Sequence, residues 1–414
     1  MRHVTRNIAV IGGGISGLTA AYLLSRTDQV TLFEADGRLG GHADTHVVSP
    51  EVAVDTGFIV YNERTYPNLT RLFAELKVAT QPSQMSMSVR CDGCGLSYAG
   101  QRGLAGLSAG LYRGRGRYLA MLAEVPRFHR AARRYLAGQD DATFGEFLAR
   151  AGHSDYFTAH FAVPLVAAVW SCPPGMALSY PARYLFAFLA NHGMLSVTGS
   201  PQWRTVTGGS RHYVERAAAQ ISAVAISAPV RSVSRHPDGV QVREVTDQVH
   251  DFDAVVIATH PDQALRLLAD PSPAEQAVLG AFRYTANPAA LHTDATLLPA
   301  RRAVRASWNY RLADCRADGG GRISYDMNRL QSLQADRDYI VTLGGPGGIE
   351  PSRVIAKMDY AHPEYTPASV AAQRQLPALN TAQTAYAGAY HGWGFHEDGC
   401  RSGADAARAL GGSW

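Results

Sequence analysis

The chain has 414 residues, 46% hydrophobic and 18% charged, with a formal net charge of +4. That length exceeds one ordinary core and fits two domains, and the composition excludes a disordered chain. No apolar run reaches the ~18 residues of a spanning helix, and the first residues lack a secretory leader pattern. With five scattered cysteines, the expectation is a reducing, cytoplasmic setting without a disulfide framework.

In chain order, residues 7–11 (Asn-Ile-Ala-Val-Ile) predict a short buried parallel strand. A glycine turn, Gly12-Gly13-Gly14-Ile15-Ser16-Gly17, leads into a helical run through Leu18, Ala21, Leu23 and Leu24. Residues 29–33 predict a second strand ending at Glu34. Residues 66–76 predict a helix, with Pro67 in its first turn and Leu69, Leu72, Phe73 and Leu76 on one face. Strands broken at Asp92-Gly93 are expected over 83–100. A mainly helical region over 115–190 is interrupted at Pro164 and at Pro173-Pro174-Gly175. From about residue 206 the pattern reverts. A helix is expected over 211–221, then strands at 229–235 and 239–246 joined by Pro237-Asp238-Gly239. Phe252–Thr259 predicts another buried strand, 285–345 is strand-rich, and a final helix follows Gly394–Gly399.

Gly12, Gly14 and Gly17 form G-x-G-x-x-G at a strand-to-helix junction. The first allows the tight turn, the second lets backbone approach a pyrophosphate, and the third allows close helix–strand packing. The helix N-terminus at Ile15 and Ser16 offers free N–H groups to phosphate charge. Glu34, twenty residues after Gly14, is placed to accept hydrogen bonds from an adenosine ribose, with Ala35 beside it.

The stretch Asp36-Gly37-Arg38-Leu39-Gly40-Gly41-His42-Ala43-Asp44-Thr45 resembles the extended motif of FAD enzymes of the flavin amine oxidase, protoporphyrinogen oxidase and phytoene desaturase superfamily. There Gly-Gly-Arg is usual. Here His42 replaces the Arg, keeping a donor and losing the positive fork. The resemblance runs along the whole chain. Asp55-Thr56-Gly57-Phe58-Ile59-Val60 resembles the strand passing the flavin, and Pro229-Val230 the strand near the adenine. Asp253–Thr259, with Ala258 and Thr259 at its end, resembles the second FAD-domain strand. Gly394-Phe395-His396-Glu397-Asp398-Gly399 resembles the C-terminal flavin motif, where a helix N-terminus faces the pyrimidine edge. The family's Gly-Glu is here Gly388-Ala389, and Leu343 is followed by Gly344-Gly345 where Asn-Pro is usual. A bacterial amine-oxidase-like subfamily is more similar still, on the segments 42–45, 55–62, 65–70, 307–310, 325–328 and 394–399. Its members often accompany cyclopropane-fatty-acid-synthase-type methyltransferases, which implies lipid chemistry.

The resemblance implies an α/β fold with a discontinuous, Rossmann-like FAD-binding domain (1–74, 196–265 and 380–414) and noncovalently bound FAD. A mixed α+β substrate domain would take 75–195 and 266–379, its helical part at 101–195. It places Phe395 beside the flavin face, with a second ring from Trp308, Tyr310, Tyr390 or Trp393. His292 falls near the position of the oxidases' lysine, where a histidine suits a base near neutral pH; a sheet histidine bonded with Asp294 is the other reading. Only Lys77 and Lys357 are lysines, which removes most candidates for a catalytic one. The backbone of His396 and Glu397 is expected at the flavin.

Cys91 and Cys94 have C-x-x-C spacing, but with no second pair nearby in sequence no metal is expected. The basic residues Arg102, Arg113, Arg115, Arg117, Arg127, Arg130, Arg133 and Arg134 read either as a solvated helix face or as a docking surface for anionic lipid or an acidic carrier protein. Nucleic acid is not expected, since no recognisable binding module accompanies them.

Three functions follow in order. The first is an FAD-dependent oxidoreductase in which flavin N5 takes hydride from a hydrophobic acyl-chain or polyene-like substrate, giving desaturation or double-bond isomerisation. The second is an amine oxidase releasing imine and hydrogen peroxide. The third is a non-catalytic flavin-binding protein.

Overall fold

A computed structural model describes residues 4–100, 103–112, 115–196, 199–317 and 321–414. Apolar runs too short to cover a helix stripe but buried on both faces make a parallel sheet. Its five strands run in the order Thr384–Tyr386, Ala254–Ile257, Asn7–Ile11, Gln29–Phe33, Ala223–Ala225, and every pairing is parallel. Ile8 faces Ala254 and Val30 in register, and Val10 faces Val256 and Leu32. Three separate stretches of chain therefore build one sheet. The helix Ile15–Leu24 packs between it and the C-terminal helix His396–Ala409. Small residues at that seam permit the approach: a Cβ at Gly403 would lie 2.2 Å from the Ser16 carbonyl oxygen.

A seven-stranded sheet forms a second layer, in the order Val354–Glu364, Arg283–His292, Ile340–Leu343, Gly321–Asp326, Trp308–Leu312, Met87–Cys91, Ser97–Gly100. It is antiparallel except where Trp308–Leu312 runs parallel to Met87–Cys91. The helices Arg115–Ala137, Phe144–Arg150, Val163–Trp170 and Ala182–Asn191 pack around Phe128, Phe144, Phe157 and Phe186, all fully buried. Val163–Trp170 stops where expected, at Ser171 in the left-handed region (φ 52°) before Pro173-Pro174. Pro237-Asp238 turns the chain between Val230–His236 and Gly239–Glu244.

One expectation is corrected. The segment read as a strand over 55–60 is a strand only as far as Asp55, where Val52–Asp55 pairs with Thr45–Ser49. Residues 56–60 carry no ladder of their own. They are held by single bonds, such as Phe58 N–H donating to the His42 carbonyl at 2.6 Å.

Candidate active site

A cavity of about 1330 Å³ runs from the glycine turn to the helical region. An ordinary ligand site measures roughly 300–1,000 Å³, so this one has room for a long ligand and a second molecule. Its first end is built by the fingerprint. Gly12 sits at φ +105° and its N–H donates to the Phe33 carbonyl at 2.8 Å, closing the turn. A Cβ on Gly17 would lie 1.9 Å from the Gly12 oxygen, so only glycine lets the helix start there. A Cβ on Gly14 would meet nothing within 4 Å, because it would enter the cavity itself. Gly14 caps the helix without a side-chain bond, leaving the first helical N–H groups for a ligand. Glu34 closes this end: its carboxylate accepts from Gly13 N–H at 2.7 Å and from Asp36 N–H at 2.9 Å.

Ile15, Ser16, Ala35, Gly41, His42, Gly57, Phe58, Ile59, Val230, Ala258, Thr259 and Gly388 all line the cavity, with Phe395 and His396. His42 is stacked on Tyr360 (ring centroids 5.0 Å apart) and its buried Nε2 has no partner. Burial, then the neighbouring His362, His260 and His396, hold its pKa well below the ordinary histidine value. It therefore offers a neutral ring nitrogen rather than a positive charge. The cation comes from Arg38, which sequence reading passed over. It donates to the Gly41 carbonyl at 3.0 Å, pairs with Asp44 at 3.0 Å and lines the cavity. The open Cβ direction at Gly14, the orphaned His42 nitrogen and the uncapped helix start fit a dinucleotide with its pyrophosphate at the turn.

The far end of the cavity is aromatic. Phe395 stacks against Phe188 (4.6 Å, 21°) and lies edge-on to Trp170 (6.1 Å). Trp170 Nε1 donates to the Trp393 carbonyl at 3.2 Å. Trp308 reaches the same wall beside Tyr325 (5.8 Å), with Met85, Met194 and Leu343 also lining the cavity, whereas Tyr390 borders the cavity from the core beside the parallel sheet, against Phe282 (5.3 Å).

Five expected site residues do not border the cavity: Gly17, whose part is the close helix–strand packing already described, and four others. His292 is fully buried within the seven-stranded sheet. Its Nε2 bonds Thr342 Oγ1 at 2.7 Å, its Nδ1 accepts from Asp294 N–H at 3.1 Å, and burial lowers its pKa to about 4. Both nitrogens are engaged and it does not border the cavity, so the sheet-histidine reading replaces the base. Tyr310 lies two residues along its strand from Trp308 but packs into the core behind the wall. The Glu397 side chain turns away: it accepts from the N–H groups of Asn68 (3.1 Å) and Leu69 (3.0 Å), capping the helix Pro67–Glu75. Ala43 supports the turn from behind, its N–H donating to the Gly40 carbonyl. The side chain of His396 is occupied as well, stacked on Phe58 at 3.8 Å and bonded to the Tyr213 hydroxyl at 2.7 Å.

The strand Val354–Glu364 adds Tyr360 and His362 to the lining, which sequence reading also missed. The signal was an alternation, Met358-x-Tyr360-x-His362, on one strand face. Tyr360 donates to Asp44 Oδ2 at 2.9 Å and shares a bond with Thr56 Oγ1 at 2.7 Å.

Residues 15–293 match the model of a family described as flavin containing amine oxidoreductase. The chain belongs to that family. A putative flavin-containing monoamine oxidase, AofH, of Mycobacterium tuberculosis is 28% identical over 282 residues, 64% of this chain and 60% of that protein. The chain thus matches less than two thirds of this relative's length. Among solved structures, cyclohexylamine oxidase from Brevibacterium oxydans superposes with a TM-score of 0.70 at 17% identity, covering 98% of this chain and 99% of that one. A CLA-producing fatty acid isomerase from P. acnes superposes at 0.67 with 14% identity, covering 97% and 98%. These two likenesses establish the fold. Family and cradle together identify the cofactor as FAD, in a family of FAD-dependent oxidoreductases. None of the five cysteines borders the cavity, in keeping with noncovalent retention. Among the described residues, no helix is long and apolar enough to cross a membrane.

Proposed function

We propose that the protein is an FAD-dependent oxidoreductase acting on a C–H bond next to unsaturation in a hydrophobic, acyl-chain or polyene-like substrate, giving desaturation or a shifted double bond. The observation that carries this reading is the chemistry of the aromatic end. The acidic residues of the cavity are Glu34 and Asp36 at the glycine turn, Asp44 paired with Arg38, and the exposed Asp359. Among the described residues that line the cavity, none beside Trp170, Phe188, Trp308, Trp393 and Phe395 is a carboxylate able to pair with an ammonium group; the neighbouring Asp398 lies outside the lining, its carboxylate accepting from Phe395 N–H at 3.1 Å and pairing with Arg401 at 2.9 Å. Bound FAD supplies two-electron, hydride-accepting chemistry. The chain's own part is to grip the dinucleotide at Gly12–Ser16 and to present the positive end of the helix His396–Ala409 to the cavity. The aromatic wall excludes water and holds an apolar carbon at about 3–3.5 Å reacting distance.

Anaerobic mixing with unsaturated fatty acyl lipids or polyenes should bleach the flavin or yield an isomer. The relative named as a monoamine oxidase supports the second reading. Bleaching by simple amines, with stoichiometric peroxide in air, would select amine oxidation and overturn the first.

The same reading favours a cytoplasmic protein that visits an anionic lipid surface. Arg130 and Arg134 are exposed one turn apart on Arg115–Ala137. Arg127 and Arg133 instead donate to the carbonyls of Gly152 and Leu195, and the Arg117 guanidinium lies over the Tyr156 ring. Arg102 and Arg113 lie outside the described residues.

A further inference from the structure

Away from the cavity, the fold assembles a group that sequence spacing left as an isolated pair. Cys91 and Cys94 occupy the turn of the hairpin formed by Met87–Cys91 and Ser97–Gly100. Cys315 follows the strand Trp308–Leu312, which lies parallel to Met87–Cys91 with Leu312 in register with Cys91. His160 comes from the helical region, on a single π-type turn, Thr158–Ala162, that precedes Val163–Trp170. The expectation of no further ligand near the C-x-x-C is thereby corrected. Three of the chain's five cysteines and one histidine converge, and their ligand atoms all lie within 4.8 Å of one another.

We propose that Cys91, Cys94, His160 and Cys315 bind one zinc ion in a closed, tetrahedral, structural site. The spacing is that of a coordination shell. With Zn–S near 2.3 Å and Zn–N near 2.0–2.1 Å, the edges of a tetrahedron are roughly 3.8 Å between sulfurs and roughly 3.6 Å from sulfur to nitrogen. Cys91 Sγ lies 3.7 Å from Cys315 Sγ, and Cys94 Sγ lies 3.6 Å from His160 Nε2. All the cysteines are free thiols.

The surroundings are those of a ligand set held ready. His160 Nδ1 donates to the Tyr156 carbonyl at 2.9 Å, which leaves the Nε2 lone pair directed at the cluster. Gly95 follows the second cysteine at φ +71°, its N–H donating to the Cys91 carbonyl at 2.9 Å. The Arg117 guanidinium, over the ring of Tyr156, is a nearby cation for the net negative charge of three thiolates on Zn²⁺. Metal binding would release the thiol protons to solvent, with no oxidant or reductant required.

Four protein ligands leave no open position, so the site serves structure rather than hydrolysis. It ties the hairpin, the loop after Leu312 and the start of Val163–Trp170. Trp170 at the end of that helix and Trp308 on the adjoining strand both belong to the cavity wall, so the metal would brace that wall from behind.

Holoprotein purified from zinc-supplemented cells should contain one zinc per chain by plasma mass spectrometry. Cys94→Ser and Cys315→Ser should each fall several-fold below this, while Cys172→Ser, outside the cluster, keeps it. If a variant does not fold, cobalt exchange into the wild-type protein decides the matter: Co²⁺ should give thiolate charge-transfer absorption and intense tetrahedral visible bands. Zinc-free wild type whose clustered thiols react with a disulfide reagent equally fast with and without added Zn²⁺ would overturn the proposal. Full zinc content in both cluster variants would overturn it too.

Discussion

Gln331 clasps Asp55 twice across 276 residues of chain: Asp55 N–H donates to Gln331 Oε1 at 2.9 Å, and Gln331 Nε2 donates to Asp55 Oδ2 at 3.1 Å. Asp55 also accepts from Ser210 N–H at 2.9 Å and from Thr45 Oγ1 at 2.5 Å. One buried carboxyl thus joins the ribbon beside the glycine turn to the start of Arg211–Ala218 and to the end of the short helix Met327–Leu330, which follows the strand Gly321–Asp326 of the seven-stranded sheet. Thr56 and Gly57, which follow it, border the cavity.

Gln331→Ala removes both bonds and strands a buried N–H and a carboxyl oxygen. The expected loss is about 2–3 kcal/mol in denaturant unfolding, with faster FAD release. A loss within about 0.5 kcal/mol, the range of an ordinary surface change, would show the clasp to be incidental.

Stability should fall as the pH drops from about 6.5 towards 4. Burial lowers His129, His192, His292, His362 and His391 to about 4 and His396 to about 3. Each is neutral in the fold while the unfolded chain takes up protons near 6.5, so its stabilising effect is complete above 6.5 and lost on acidification. Asp55 and Asp398, pushed up to about 6 by burial, act the other way, their effect complete below about 4 and lost as pH rises through 6. The histidines outnumber them, so the melting temperature should decline across this window. Calorimetry on His292→Gln should show a shallower decline, and an unchanged slope would contradict the assignment.

The glycine turn was legible because all of its signal is local: strand, three glycines, helix and Glu34 occupy one continuous stretch, and each residue type answers a steric demand within it. Phe395 and Trp308 were legible through resemblance and do stand at the cavity. His292 and Tyr310 were misplaced because position along a strand does not say how deep in a sheet a side chain sits. His292 lies where the sheet closes over both ring nitrogens, and Tyr310 one pleat beyond the wall. The meeting of Cys91 with Cys315 depends on a parallel register between strands more than 200 residues apart, which no local pattern carries. Arg38 was hidden for a related reason, since its role comes from folding back onto the carbonyls of Gly41 and Ala43.

On the basic helix, Arg130 and Arg134 are the residues to change. At about 1 kcal/mol for each cation near an anionic bilayer, the double variant Arg130→Ala/Arg134→Ala should bind phosphatidylserine vesicles roughly 10- to 30-fold more weakly at low salt. The gap should narrow at high salt, where screening has already weakened the wild type. Superimposable low-salt binding curves would return this face to simple solvation.

Gly14 and Gly17 stand three residues apart in one motif and should fail in different ways. Gly14 has φ −73°, which any residue adopts, and its Cβ direction is open. Gly14→Val should therefore fold with a melting temperature close to that of flavin-free wild type, yet emerge colourless, because its side chain fills the position of the pyrophosphate. Gly17 has the Gly12 carbonyl oxygen 1.9 Å from a prospective Cβ, with the Ala258 side chain at 3.2 Å. Gly17→Val must push the helix off the sheet and should cost about 2–4 kcal/mol or more in the apoprotein itself, on the scale of strained core substitutions. Flavin content by absorbance and apoprotein unfolding by circular dichroism separate the two effects. Full FAD occupancy in Gly14→Val would displace the dinucleotide from this turn, and an undiminished apoprotein stability in Gly17→Val would contradict the close packing of helix on strand.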